Sequence, residues 1–300
     1  MNEWLFEPWT FSFMQRALAE VAIVGLVCGV VGCFVVLRGL AFIGDALAHA
    51  VFPGVVLSYL LNKTVIAGAL VFGIITALGI GLLGRNRRVS EDSAIGILFA
   101  AFFALGVVLI SREVGFRRDV ASLLFGNILG ISNGDILTTL VLAAIVLAVT
   151  LLLLKELTLV AFDSTMAQAA GYPVFALDMV LLLLVTMTIV VSLQAVGNVL
   201  VLALVVTPPA TARLLTDRLG RMLLVSPVVA FLSGVTGLLA SYHADTAAGA
   251  SIVLASTAFF LAAVAGAPRH GLIAGWLQRR RGEHHVHHYH PMEEETETAS

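Results

Sequence analysis

The stretch MVLLLLVTMTIVVSLQAVGNVLVLALVVTP, Met179–Pro208, decides the architecture of this chain. It holds 30 residues, whereas about 20 apolar residues suffice to cross a hydrocarbon core about 30 Å thick. Its middle, Ser192-Leu-Gln-Ala-Val-Gly-Asn198, is polar and carries a glycine. We read it as two helices joined by a break near Gly197. Seven other runs have the length of a single span, at roughly 18–37, 40–61, 65–84, 93–111, 136–154, 222–241 and 249–267. The expected fold is therefore an all-α polytopic membrane helix bundle of about nine spans, or eight if the break only kinks one long helix.

Composition agrees. Apolar residues make up 59% of the 300 and charged residues 12%, with a mean hydropathy of +1.01. A soluble domain carries about twice that share of charge, so a water-facing globule is excluded. The formal net charge is −2. Five acids, Glu283, Glu293, Glu294, Glu295 and Glu297, lie in the last 19 residues, so the body is mildly basic and the tail acidic. Residues 1–13, rich in aromatics (Trp4, Phe6, Trp9, Phe11, Phe13), read as an interfacial segment rather than a signal peptide. Residues 14–267 form the membrane domain and 268–300 a cytoplasmic, disordered tail. Cys28 and Cys33, five apart in an apolar run, match no redox or zinc spacing and read as packing residues.

Arginine placement supports nine crossings. With the long run split, Arg85/Arg87/Arg88, Arg213/Arg218/Arg221 and Arg279–Arg281 fall on one side, which is cytoplasmic by the positive-inside bias. The N-terminus is then outside and the C-terminus inside. The outer loop with Arg112, Arg117 and Arg118 runs against this, partly offset by Glu113 and Asp119. Gly25 and Gly29 form a GxxxG pattern, one that lets membrane helices approach closely.

Ionisable groups at membrane depth are costly and mark pathways. We read Asp45 as the one acid, and His49 as the one histidine, well inside a span. Spaced i,i+4 in GDALAHAVFPG, Gly44–Gly54, they share a helix face. Carboxylate plus imidazole suits a divalent transition metal; a proton pathway or a structural Asp–His pair fits the same spacing. Pro53-Gly54 should bend or break the helix beside them. Gln194 and Asn198 are candidate path lining. No P-loop occurs, and no soluble segment is large enough for a nucleotide-binding domain. An ATP-driven process would need a separate motor, and segment 155–178 supplies a candidate docking surface or a mere connector. There Asp163 or Ser164 would cap a short helix Thr165–Ala170, with Gly171 and Pro173 stopping it.

The chain resembles the permease subunits of bacterial ABC importers for manganese, zinc and related metals. The likeness covers about residues 14–266 and rests on an ordered set of motifs: Met14–Ala17, Val36–Ala50, Glu91–Gly96, Leu124–Gly130, Lys155–Leu157, Phe162-Asp163, and Ser192–Gly197 with Thr207-Pro208. The second half is also similar to permeases of cobalamin and siderophore importers. The resemblance implies a non-catalytic subunit with no permanently bound cofactor, in the plasma membrane of a bacterium. Its cargo would be Mn2+ or Zn2+, with iron as a further candidate. Its partners would be a second copy, two cytoplasmic ATPase subunits that use ATP, an extracytoplasmic metal-binding protein and the lipid bilayer, with no nucleic acid. Asp45 and His49 match family positions that meet the ion in transit. Phe162, Asp163, Ala167, Ala170 and Gly171 match the segment that couples to the ATPase. The alternative is a proton-coupled secondary metal transporter without an ATPase. Two features depart from the pattern: Pro209 after Thr207-Pro208, and the tail histidines His284, His285, His287, His288 and His290. Those imidazoles could bind zinc, nickel or copper, or form a tail with no role in transport.

Overall fold

A computed structural model of the chain describes residues 6–85, 88–111 and 128–267, without the side chains of Glu91, Gln194, Ala195, Val196, Asn198 and Val199. Among the described residues there are twelve α-helices and no strands. In chain order they are α1 (Ser12–Leu37), α2 (Ala41–Ala50), α3 (Phe52–Leu60), α4 (Val65–Gly84), α5 (Glu91–Ser111), α6 (Asn133–Leu152), α7 (Leu154–Phe162), α8 (Ser164–Ala169), α9 (Val174–Val196), α10 (Asn198–Leu215), α11 (Leu219–Ala244) and α12 (Ala248–Gly266). Among the described residues eight segments are long and apolar enough to cross a membrane, α2 and α3 counting together, while α10 contributes the shorter apolar helix Leu200–Leu215.

The expected break in the long run is present. Gly197 closes α9 by donating its N–H to Leu193 O, and its own carbonyl accepts from Val201 N–H to open α10. Its φ of +78° suits glycine and few other residues. The contacts of α1 show that the chain turns back there. Arg38, at the end of α1, pairs with Asp178 near the start of α9. Cys28 Sγ lies 3.6 Å from Ser192 Oγ, so α9 runs antiparallel to α1. Gly25 abuts Ala230 and Gly29 abuts Pro227, so α11 starts beside the end of α1. Only three residues, 216–218, join α10 to α11. Hence α10 ends on the face where α9 began, and the pair crosses in and back. Arg38 and Arg85 line one cavity, and Arg213, Arg218 and Arg221 flank the α10–α11 junction. Arg85 of the first basic cluster therefore shares a face with Arg213, Arg218 and Arg221; Arg87 and the cluster Arg279–Arg281 lie outside the described residues.

Helix α1 is the axis of the bundle because its glycines remove the side chains that would hold its neighbours off. A Cβ at Gly32 would lie 2.1 Å from Val205 O, and one at Gly29 2.8 Å from Pro227 N. The neighbouring elements α6, α9, α10 and α11 pack directly on it. By contrast α4, α5 and α6 leave rows of leucine, isoleucine and valine exposed, among them Leu78, Leu82, Val108, Leu137 and Val141, as helices facing lipid tails do.

One sequence expectation is corrected. Asp45 is not the one acid at depth: Glu20 is completely buried. The apolar run begins near residue 18 and puts Glu20 at its edge, but the helix extends back to Ser12, which carries Glu20 two turns inside the bundle. Among the described residues neither of its carboxylate oxygens makes a close hydrogen bond. Thr139 and Asp135 of α6 are its polar neighbours.

Candidate functional site

Asp45 and His49 lie on α2, a ten-residue helix bracketed by two backbone devices. Before it, Gly39 takes φ +70° and turns the chain out of α1. After it, Val51 joins α2 to α3, and Pro53 has no N–H to offer the carbonyl four residues back, that of His49. The bend expected from Pro53-Gly54 is therefore real and lies one turn beyond the histidine. It separates the polar α2 from α3, which Val55 anchors to Ala69, Val190 and Leu193.

Within α2 the pair has a definite chemistry. His49 Nδ1 is 2.9 Å from the backbone oxygen of Asp45. A carbonyl only accepts, so this nitrogen carries the hydrogen and donates. In the neutral ring the lone pair then sits on Nε2, the tautomer a metal-binding histidine needs. The Asp45 carboxylate lies on the same side as Nδ1, with Oδ1 at 3.4 Å. In this conformation the two side chains of one chain therefore do not close on a single ion through their free lone pairs. The ring is held edge-on by Phe99 at 5.5 Å and Phe103 at 5.7 Å between centroids, both from α5. The sequence reading did not anticipate those two aromatic supports. His49 is 27% exposed and Asp45 48%, and Phe42, one turn before Asp45, is 83% exposed. Among the described residues, no three His, Cys, Asp or Glu side chains gather to hold a metal. One chain thus presents a partly exposed carboxylate–imidazole pair. Gln194 and Asn198, whose backbones flank Gly197, lie outside the described residues as far as their side chains go. The same holds for the tail histidines 284–290.

The segment 155–178 folds as expected locally. Asp163 is the N-cap of α8, its Oδ1 accepting from Met166 N–H at 2.8 Å, and Gly171 ends the turn at φ +84°. The helix starts and stops one residue before the expected 165–170. Ala167 points inward, fully buried, packed with Val160 and Leu177 against Tyr172 and Val174. It seats the helix against the rest of the chain. Phe162, Asp163, Met166, Ala170 and Gly171 are exposed, so the outward surface of the knob is formed by these residues. Met166 in particular was missed from sequence, because a six-residue helix has too few residues to show a face.

The chain matches the ABC 3 transport family over residues 10–267. It is 44% identical over 274 residues to the manganese transport system membrane protein MntC of Halalkalibacterium halodurans, covering 91% of this chain and 94% of that one. It is 39% identical over 265 residues to a protein of Haemophilus influenzae named as a probable iron transport system membrane protein, covering 88% and 97%. Among solved structures, PsaBC from Streptococcus pneumoniae in complex with Fab is similar at a TM-score of 0.81 and 37% identity, covering 93% of this chain and 99% of that one. A match over most of the chain in motifs, helix order and fold leaves one assignment: this multi-pass membrane protein belongs to the ABC 3 transport family of metal ABC importer permeases.

Proposed function

We propose that two copies of this chain form the membrane path of an ATP-driven importer of a divalent transition metal, with manganese first and ferrous iron second. The observation that carries the reading is the half-exposed Asp45–His49 pair on a membrane-spanning segment. A carboxylate and an imidazole turned toward lipid tails would be costly. Facing a second copy across a water-filled path, the same groups gain partners. The ion needs more ligands than one chain supplies. A twofold axis doubles the set to two imidazoles and two carboxylates, a donor combination that suits manganese or iron. The names of the relatives, manganese and iron transport proteins, favour those metals over zinc.

In this reading the cargo is a transient ligand of His49 Nε2. The Nδ1–H of that ring stays on the Asp45 carbonyl, and Phe99 and Phe103 keep its orientation constant. The Asp45 carboxylate supplies negative charge and a hard oxygen donor, and it swings between Nδ1 and the ion. Because the donors come from two separate copies, they part when the copies move, which keeps the binding short-lived. The exposed surface of α8 docks a separate ATPase subunit, and an extracytoplasmic binding protein delivers the metal at the opposite face. The face with Arg38, Arg85 and Arg213 is cytoplasmic, the N-terminus outside and the C-terminus inside. This chain itself hydrolyses nothing.

The test is reconstitution of the chain with its ATPase and binding protein in vesicles. Uptake of manganese that needs ATP, and that is lost in His49→Ala while the complex still co-elutes, is the expected result. Uptake without ATP or ATPase would refute the docking reading, and wild-type uptake by His49→Ala would refute the site.

A further inference from the structure

Arg38 and Asp178 are separated by 140 positions in the chain, yet their side chains form an ion pair that is only 19% and 32% exposed. Each partner sits at a point where motion would be passed on. Arg38 is the C-cap of α1; one residue later comes the left-handed Gly39, and α2 with Asp45 and His49 begins at Ala41. Asp178 is the fifth residue of α9. Its helix starts directly after the Gly171–Pro173 turn and is locked to α8 by the Leu177–Ala167–Val160 cluster. The first turn of α9 therefore moves with the docking knob. A cavity of about 230 Å³ adjoins the pair, lined in part by Gly81 and Gly84 of α4, together with Phe175 and Arg85. Gly84 has open space around it. Arg38 and Asp178 line this cavity themselves, and Arg85 of the α4 end stands over the Phe175 ring at 5.4 Å, so the charge pair sits where α1, α4 and the start of α9 converge.

We infer that the Arg38–Asp178 ion pair is the positioning link through which movement of the α8 knob is transmitted to the Gly39 hinge and so to the metal-facing helix α2. The inference rests on the docking role assigned above to α8. Neither residue touches the ion. The pair acts through α2, changing how the Asp45–His49 half-site is presented when the knob is displaced. Apolar contacts alone would let α9 slide past the end of α1. A partly buried, directional charge pair resists that slide because separating the charges leaves each without its partner.

The test uses the complete transporter in vesicles, with metal uptake and ATP hydrolysis measured together. Arg38→Asp and Asp178→Arg singly should lower the metal moved per ATP about tenfold, the scale of coupling between contacting residues. The double exchange, which restores a pair of opposite sign, should recover most of that ratio. A merely structural role would change assembly and hydrolysis in parallel and leave the ratio unchanged. Single variants that co-elute with the ATPase and keep the wild-type ratio overturn the link. So does a double variant no better than the worse single one. Where a charge reversal prevents assembly, Arg38→Cys with Asp178→Cys answers the question in the assembled complex. Reduced, this variant lacks the tie and should show the lowered ratio of metal to ATP, and a thiol-to-thiol cross-linker should raise it again; a ratio unaffected by the cross-link overturns the inference. A wild-type complex that lacks ATP-dependent uptake overturns instead the docking reading on which the link depends, so the two failures are distinguishable.

Discussion

Replacing Gly54 by alanine should destabilise the bundle even though alanine is the better helix former. In α3 a Cβ at position 54 would stand 2.1 Å from Gly68 O and 2.9 Å from Phe72 Cδ2. In α4 a Cβ at position 68 would stand 2.1 Å from Gly54 O and 2.1 Å from Ser58 Oγ. Carbon and carbonyl oxygen approach to about 3.3 Å, so one backbone must retreat by roughly 1 Å against the other. Gly→Ala in a helix interior gains about 1 kcal/mol of propensity. Overpacking a tight contact costs about 1–3 kcal/mol, and here the obstacle is backbone, which cannot rotate away as a side chain can. The loss should therefore exceed the gain for each single substitution. The double variant should cost less than the sum, since one retreat relieves both clashes. Gly96→Ala is the control: nothing lies within 4 Å of its Cβ position, so propensity alone acts and stability holds or rises. The assay is thermal unfolding in detergent followed by a thiol-reactive dye, because Cys28 and Cys33 are both buried and free. Midpoints several degrees below wild type for Gly54→Ala and Gly68→Ala are expected, as is reduced metal uptake, since α3 follows His49 by one turn. A midpoint for Gly54→Ala at or above wild type would refute the reasoning.

Asp45→Asn keeps the backbone carbonyl that holds His49 Nδ1, so uptake should fall about 10–100-fold, as for loss of a supporting group. His49→Ala should abolish it, and the reverse order in vesicle uptake would show that the carboxylate is the primary ligand. Asp163→Ala removes the cap on Met166 N–H, costing α8 about 1 kcal/mol. The expected readout is weaker co-purification of the ATPase at unchanged bundle stability, and undiminished co-purification would count against α8 as the docking knob. Glu20→Gln keeps the shape of a buried group whose oxygens make no close hydrogen bond among the described residues. Its unfolding midpoint should stay level or rise, whereas a marked fall would mean that Glu20 holds a stabilising partner.

Much of this protein is legible one residue at a time. Apolar runs longer than a bilayer is thick leave no alternative to membrane helices, because every backbone amide there must find its partner within the helix. Gly197 and Pro53 announce their breaks, since a positive φ and a missing N–H are properties of the residue itself. Asp163 and Gly171 mark the ends of α8 for the same reason. Asp45 and His49 share a face because helix geometry puts residues four apart together. What the local code omits is depth and company. Glu20 was misjudged because hydropathy shows where a run becomes apolar, not where a helix begins. Ala167 and Phe162 were equivalent until packing turned one in and the other out. Only the fold brings Phe99 and Phe103 against the imidazole. Only the fold joins Arg38 to Asp178 across 140 positions. The sequence by itself determined the helices, their breaks and the polar pair, since these follow from bonds between near neighbours. Tertiary structure decided the direction of α10, the aromatic surroundings of His49 and the pairing of Arg38 with Asp178. Those depend on contacts between distant segments, whose strength is set by burial rather than by spacing.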